Sequence, residues 1–309
     1  MKLVKNYLML MLGILLINCQ GKAQPDFSAE PLQPQKFNNY WFAGKAELTS
    51  YHLTQSRYGK LHEGNAVLIF VTEDFSRGKQ VKLDDPIKNR KDAIKVMKLN
   101  FTKKFNTGIY PYSMMSSCFT PVDRENNPHS IKLTTSSQEW CGHTFTQVNL
   151  GENNYEVSGY SYFESEGDKQ KKLAKTVLED ELWNLIRLSP DQLPVGKVKI
   201  IPGTFSARLM HNPLENTEAI ASLTENQNPT FGKEGIMEYK IDYKGPKRTL
   251  KIYFESSFPY GITGWEETYK GIGGKQLTSQ AIKNKSILLD YWTKNKPGDT
   301  SYRQELGLE

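Results

Sequence analysis

The segment Ser136-Ser137-Gln138-Glu139-Trp140-Cys141-Gly142-His143-Thr144-Phe145 crowds a carboxylate, a large aromatic ring, a thiol and an imidazole together near the middle of the chain. An imidazole at His143 can draw off the thiol proton of Cys141 while Glu139 orients the ring, which is the chemistry of a thiol nucleophile. Strand geometry opposes that reading. Side chains at i and i+2 of one strand stand about 6.5 Å apart, beyond hydrogen-bond reach, unless a bulge at Gly142 re-aims them. The set Glu139, Trp140, Cys141, His143 and Trp265 is therefore expected to bind a ligand, and no residue is assigned a catalytic role. A carboxylate pair drawn from Glu139, Glu164, Glu166, Asp168, Glu266 and Glu267, beside Trp140 and Trp265, is the glycosidase version of the same region.

Other chemistries find less support. The histidines at 52, 62, 129, 143 and 211 are dispersed, without HExxH or paired CxxC spacing, so no metal site is expected. The glycine run Gly271 to Gly274 lacks the strand, helix and acidic partner of a dinucleotide site, so no cofactor is expected either. The formal charge of +6 falls to about +4 without Lys2 and Lys5, and the remaining cations are scattered. Such a pattern describes a solvated surface and no nucleic-acid partner.

The elements that would position these residues are mostly strands. Lys45–Arg57 alternates with period two and Ala66–Val71 is a buried run, giving a hairpin. Strands are also expected around Met97–Phe101, Tyr110–Thr120, Ile131–Phe145 and Tyr155–Phe163, then over Lys197–Ile201, Thr204–Met210, Gly235–Tyr243 and Arg248–Glu255. Leu173, Val177, Leu178, Leu182, Leu185 and Ile186 recur at helical spacing and Ser189-Pro190 ends that run. A second helix is expected over Ala281–Trp292, capped by Thr278. The fold class is mainly β: antiparallel sheets forming an open or half-closed barrel or sandwich, with an internal and a C-terminal helix packed on it. Asp191–Gly196 divides a region 37–190 from a region 195–309, which are either two units or one continuous domain.

The N-terminus reads as an export signal, with Lys2 and Lys5 ahead of the apolar run Tyr7–Ile17. In one reading Leu16-Ile17-Asn18-Cys19 is a lipobox, residues 1–18 leave, Cys19 is acylated, and residues 19–36 tether the domain to a membrane. In the other, cleavage follows Gly21-Lys22-Ala23 and residues 1–23 leave. Export permits a Cys118–Cys141 disulfide, with buried free thiols as the alternative.

The exported N-terminus, together with Asn106-Thr107-Gly108-Ile109-Tyr110-Pro111-Tyr112-Ser113, Gln138-Glu139-Trp140-Cys141-Gly142-His143, Tyr162-Phe163-Glu164-Ser165-Glu166-Gly167-Asp168 and Gly264-Trp265-Glu266-Glu267-Thr268, resembles a family of uncharacterised bacterial envelope proteins. Its members are sometimes labelled septum formation inhibitor Maf. True Maf nucleotide pyrophosphatases carry a Ser-x-Ser-x-Arg-Arg motif that this sequence lacks. The resemblance covers essentially the whole mature chain and implies a cell-envelope location in the periplasm or at the outer membrane. The expectation is a lipid-anchored binding or structural module for an amphiphile, a glycan or another envelope component. An exported hydrolase using Cys141 and His143, or a carboxylate pair, is the alternative.

Overall fold

The computed structural model describes residues 34–271 and 274–308. The expected export segment, Cys19 and most of the expected tether lie outside the described residues. The tether's last residues open a short helix, α1 (Pro34–Trp41), whose Trp41 docks on Phe70.

The first half is an antiparallel meander: β1 (Ala46–Arg57), β2 (Lys60–Ser76), β3 (Ala93–Thr107), β4 (Tyr110–Pro121), β5 (Lys132–Glu139), β6 (Gly142–Leu150), β7 (Asn154–Ser161) and β8 (Lys169–Ala174). A two-residue strand, β9 (Val177–Leu178), leads into helix α2 (Glu179–Leu188). The second half runs β10 (Gly196–Ile201), α3 (Thr204–Met210), β11 (Thr217–Glu225), β12 (Ile236–Tyr243), β13 (Arg248–Glu255), β14 (Ile262–Lys270) and β15 (Gln276–Leu289), ending in α4 (Ser301–Glu305).

All fifteen strands form one sheet in the order β8-β7-β6-β5-β4-β3-β2-β1-β15-β14-β13-β12-β11-β10-β9. The regions on either side of Asp191–Gly196 therefore share a sheet, joined where β1 pairs with β15. The edge strands β8 and β9 are not paired with each other, so the barrel is open. Yet only Lys175 and Thr176 separate them in sequence, which limits Ala174 and Val177 to about 11 Å between Cα atoms. The sheet must curl until its edges meet. Asn216 staples this seam, its side-chain amide donating to the Ala174 carbonyl at 3.0 Å and to the Thr176 hydroxyl at 2.9 Å. Leu173, Leu178, Ile201 and Leu214 pack across it against Cys118, Leu133 and Val148.

Helix α2 lies inside the curl and is buried on nearly every side. Its Leu182, Trp183, Leu185 and Ile186 join Phe205 and Leu209 of α3, and Trp41, Tyr51, Phe101 and Trp265, in a single core. The concave face of the sheet is thus filled by the protein's own side chains, and an acyl chain there would have to displace close-packed aromatic groups.

Three secondary-structure expectations also change. The helix begins at Glu179, because residues 169–174 pair with β7 as an edge strand. Thr204–Met210 is helical: Phe205 and Leu209, four apart, both turn to the core, and the Asp180 carboxylate accepts from the Thr204 amide at 3.0 Å and hydroxyl at 2.9 Å. The expected helix over 281–292 is instead the long strand β15, bracketed by β1 and β14. A bulge at Asn284, where Ser50 faces Lys285 but Tyr51 faces Lys283, breaks the alternation and mimics helical spacing. The C-terminal helix is the short α4. Leu306, just beyond it, packs on Ala46, Leu48 and Val71.

Candidate functional site

The residues singled out in sequence are scattered by the fold. Ile131–Phe145 is not one long strand but the hairpin β5–β6, with Trp140-Cys141 as its two-residue turn and Glu139 paired to Gly142. Trp140 stands 68% exposed at the tip, and Cys141 and His143 are also exposed. Glu139 turns inward, its buried carboxylate 2.5 Å from Arg208 of α3. Trp265 lies in the core, ringed by Tyr51, Phe101 and Trp183. No thiol, imidazole and carboxylate converge here, and no group of three or more His, Cys, Asp or Glu among the described residues is arranged to hold a metal.

The Cys118–Cys141 disulfide is likewise corrected. Both thiols are free. Cys118 faces Leu133 in the β4–β5 ladder, while Cys141 lies beyond Glu139, roughly 20 Å or more further along the strand and far outside the Cα separation a disulfide allows. Burial, then Glu181 and Asp180, push the Cys118 thiol well above its ordinary range.

The charge-rich group around Glu179-Asp180-Glu181 carries no motif in the sequence. These acids open a buried helix, and each meets an interior partner. Glu179 accepts both terminal guanidinium nitrogens of Arg248, at 2.5 and 2.7 Å, and Arg248 Nε donates to Glu267 at 2.6 Å. Lys103 lies 4.0 Å from Glu267, boxed by Phe101, Phe205 and Trp265. Burial lowers the Lys103 amine, while Arg248 and then Lys103 hold Glu267 below its usual range against the opposing effect of burial. The cavity among them is about 20 Å³, room for one water. A substrate does not fit. This lattice fastens α2 and α3 to the sheet, as does the bidentate Arg187–Glu47 pair at the other end of α2, with both contacts at 2.5 Å.

Space for a ligand opens at the seam. A groove of about 140 Å³ lies between the inner face of β5–β8 and the wall formed by α3 and Asn212–Leu214. Strand register orders the inner face in rungs, of which Leu133, Val148 and Ser137 are buried outside the groove lining. Leu133, Val148, Val157 and Lys171 form one rung; Thr135, Thr146, Gly159 and Lys169 the next; Ser137, Thr144 and Ser161 the third. Inward positions thus pass from aliphatic to hydroxyl-bearing towards the hairpin tips, and two rungs end on a lysine of the edge strand. Gly159 leaves a gap, since a Cβ placed there meets no atom within 4 Å.

Arg208, only 8% exposed, forms the inner wall. Its guanidinium stacks on Phe163 at 4.5 Å, gives one nitrogen to Glu139 and another to His211 Nε2, and leaves Nε–H without a partner. The His211 tautomer follows from its neighbours. Nδ1 donates to Glu166 at 2.6 Å, so Nε2 accepts from Arg208 and Arg57, each at 3.4 Å. Although burial opposes ionisation, Ser161, His211 and Arg208 hold Glu166 below the usual carboxylate range. Sequence did carry a signal for this groove: hydroxyl, glycine and lysine residues occupy the same inward parity as Leu133, Val148 and Val157. A buried sheet face is normally apolar throughout, so such a row marks a wet recess.

No family model matches the sequence, and no curated protein matches it. Among solved structures, the crystal structure of a beta-barrel-like protein of domain of unknown function DUF1849 from Brucella abortus aligns with a TM-score of 0.48 at 9% identity, over 79% of this chain and 98% of that chain.

Proposed function

We propose that the protein is an exported binding module of the cell envelope, held at a membrane through Cys19, whose ligand enters the seam groove between β5–β8 and α3. The observation that supports the binding reading is the groove itself: a recess with an aliphatic end and a hydroxyl-lined end, beside an unpaired sheet edge. Rigid strands position the lining, as precise recognition requires. The hydrolase alternative loses its support, because Cys141 and His143 sit on the surface and Glu139 is committed to Arg208. The ligand is an envelope component that presents a small polar head, since the concavity accepts no long chain.

Labelling with palmitate tests the anchor: wild type takes up label and Cys19→Ala does not, whereas label in neither places the cleavage after Ala23. For binding, the unacylated Cys19→Ala chain is melted in the presence of fractionated envelope extract. A fraction holding ligand at 100 times its Kd stabilises the folded state by about 2.7 kcal/mol. That shift should vanish when Gly159→Leu fills the gap. If no fraction distinguishes the two chains, the groove is not a binding site.

A further inference from the structure

We infer that the seam groove selects an anionic group, a phosphate or carboxylate, carried on a hydroxyl-bearing molecule. This rests on the groove being the ligand site and names what it recognises. Three cationic side chains reach the lining: Lys169 and Lys171 at the outer ends of two rungs, and Arg208 at the inner wall. Glu166 is the one acid on that lining, and it is already engaged by Ser161, His211 and Arg208. Neither lysine makes an ion pair among the described residues, and Lys169 Nζ reaches only the Ser165 carbonyl, at 3.1 Å.

Arg208 is the built part of the site. A guanidinium held by Glu139, Phe163 and His211 cannot swing away, so its charge is fixed at the groove wall. A preorganised arginine flanked by lysines is the arrangement that captures carboxylate and phosphate groups. The hydroxyls of Thr144 and Thr146, which have no partner among the described residues, supply the neutral donors and acceptors that a sugar or glycerol moiety needs. Burial and the neighbouring Lys169 charge lower the Lys171 amine despite the nearby Glu215, an environment that an anion would relieve.

Two sources carry this chemistry, a soluble acidic glycan and a lipid headgroup, and the probes separate them. The unacylated Cys19→Ala chain is titrated at low salt with glucose 6-phosphate and with octyl phosphate, each beside its neutral counterpart, glucose and octanol. Each phosphate probe that binds should do so at least tenfold more tightly than its counterpart. Binding should fall at least tenfold in Lys169→Gln/Lys171→Gln, whose melting without ligand should match wild type, and disappear in Gly159→Leu. Preference for glucose 6-phosphate identifies the glycan source, and preference for octyl phosphate the lipid source. If neutral probes bind as tightly as phosphates and Gly159→Leu abolishes both, the anionic class is overturned while the groove stands. If no probe binds, or Gly159→Leu changes nothing, the groove assignment falls and this inference with it.

Discussion

Asp180 offers the sharpest quantitative test of how the interior is wired. Its half-buried carboxyl, in the first turn of α2, accepts from the Thr204 amide and hydroxyl and from Ser116. Burial and then the charge of Glu179 raise it from 3.8 to about 6, against the opposing effect of those hydrogen bonds. The folded protein therefore holds this proton more tightly than the unfolded chain. The stability it contributes is fully present below about pH 4 and is lost as pH rises through about 6. A shift of roughly two units at 1.36 kcal/mol per unit makes that loss about 3 kcal/mol at pH 7. Asp180→Asn removes the titration and leaves an amide oxygen to accept from Thr204. Urea unfolding of both proteins at pH 4, 5, 6 and 7 should show the variant gaining on wild type by about 3 kcal/mol across that range, with m unchanged. Groups remote from Asp180 titrate alike in the two chains and cancel. A flat difference would refute the reasoning, and a difference that moves in favour of wild type would show that the hydrogen bonds to the carboxylate outweigh its burial.

Other consequences can be checked in parallel. Arg187→Met strands Glu47 inside the core and should destabilise by about 3–5 kcal/mol, with much of the loss recovered in Glu47→Leu/Arg187→Met, by denaturant titration. Gly203→Ala places a Cβ 2.2 Å from Glu179 Oε1; it should push that carboxylate off Arg248 and lower stability by about 2–4 kcal/mol, whereas Gly159→Ala, pointing into open space, should change it by less than about 1 kcal/mol. In the Cys19→Ala chain without reductant, one thiol should react with a maleimide in the native state and two after unfolding. A native Cys118–Cys141 bridge would give none in either state.

A strand that reads clearly in sequence is one with a single face in the core, such as β12, where every second side chain is large and apolar. β11 was lost in a polar stretch because its inward residues Ala219 and Ala221 are too small to mark alternation. The Asn284 bulge did the same for β15. The Glu179–Glu181 run gives no sign of its burial for another reason. Acids signal solvent unless basic partners come from distant strands, and Arg248 lies 69 residues away from Glu179. The candidate site was invisible as a motif because it is a product of register: Thr135, Thr146, Gly159 and Lys169 align only once four strands pair. Glu139, expected to bind a ligand, instead turns inward and pairs with Arg208 at the groove wall.

The central claim is that the seam groove is occupied in the cell. Native mass spectrometry of the protein purified gently from its own envelope, beside the Gly159→Leu variant prepared identically, addresses it directly. A discrete small-molecule adduct on wild type that is absent from the variant is the expected result. Identical bare masses, or the same adduct on both, would contradict it.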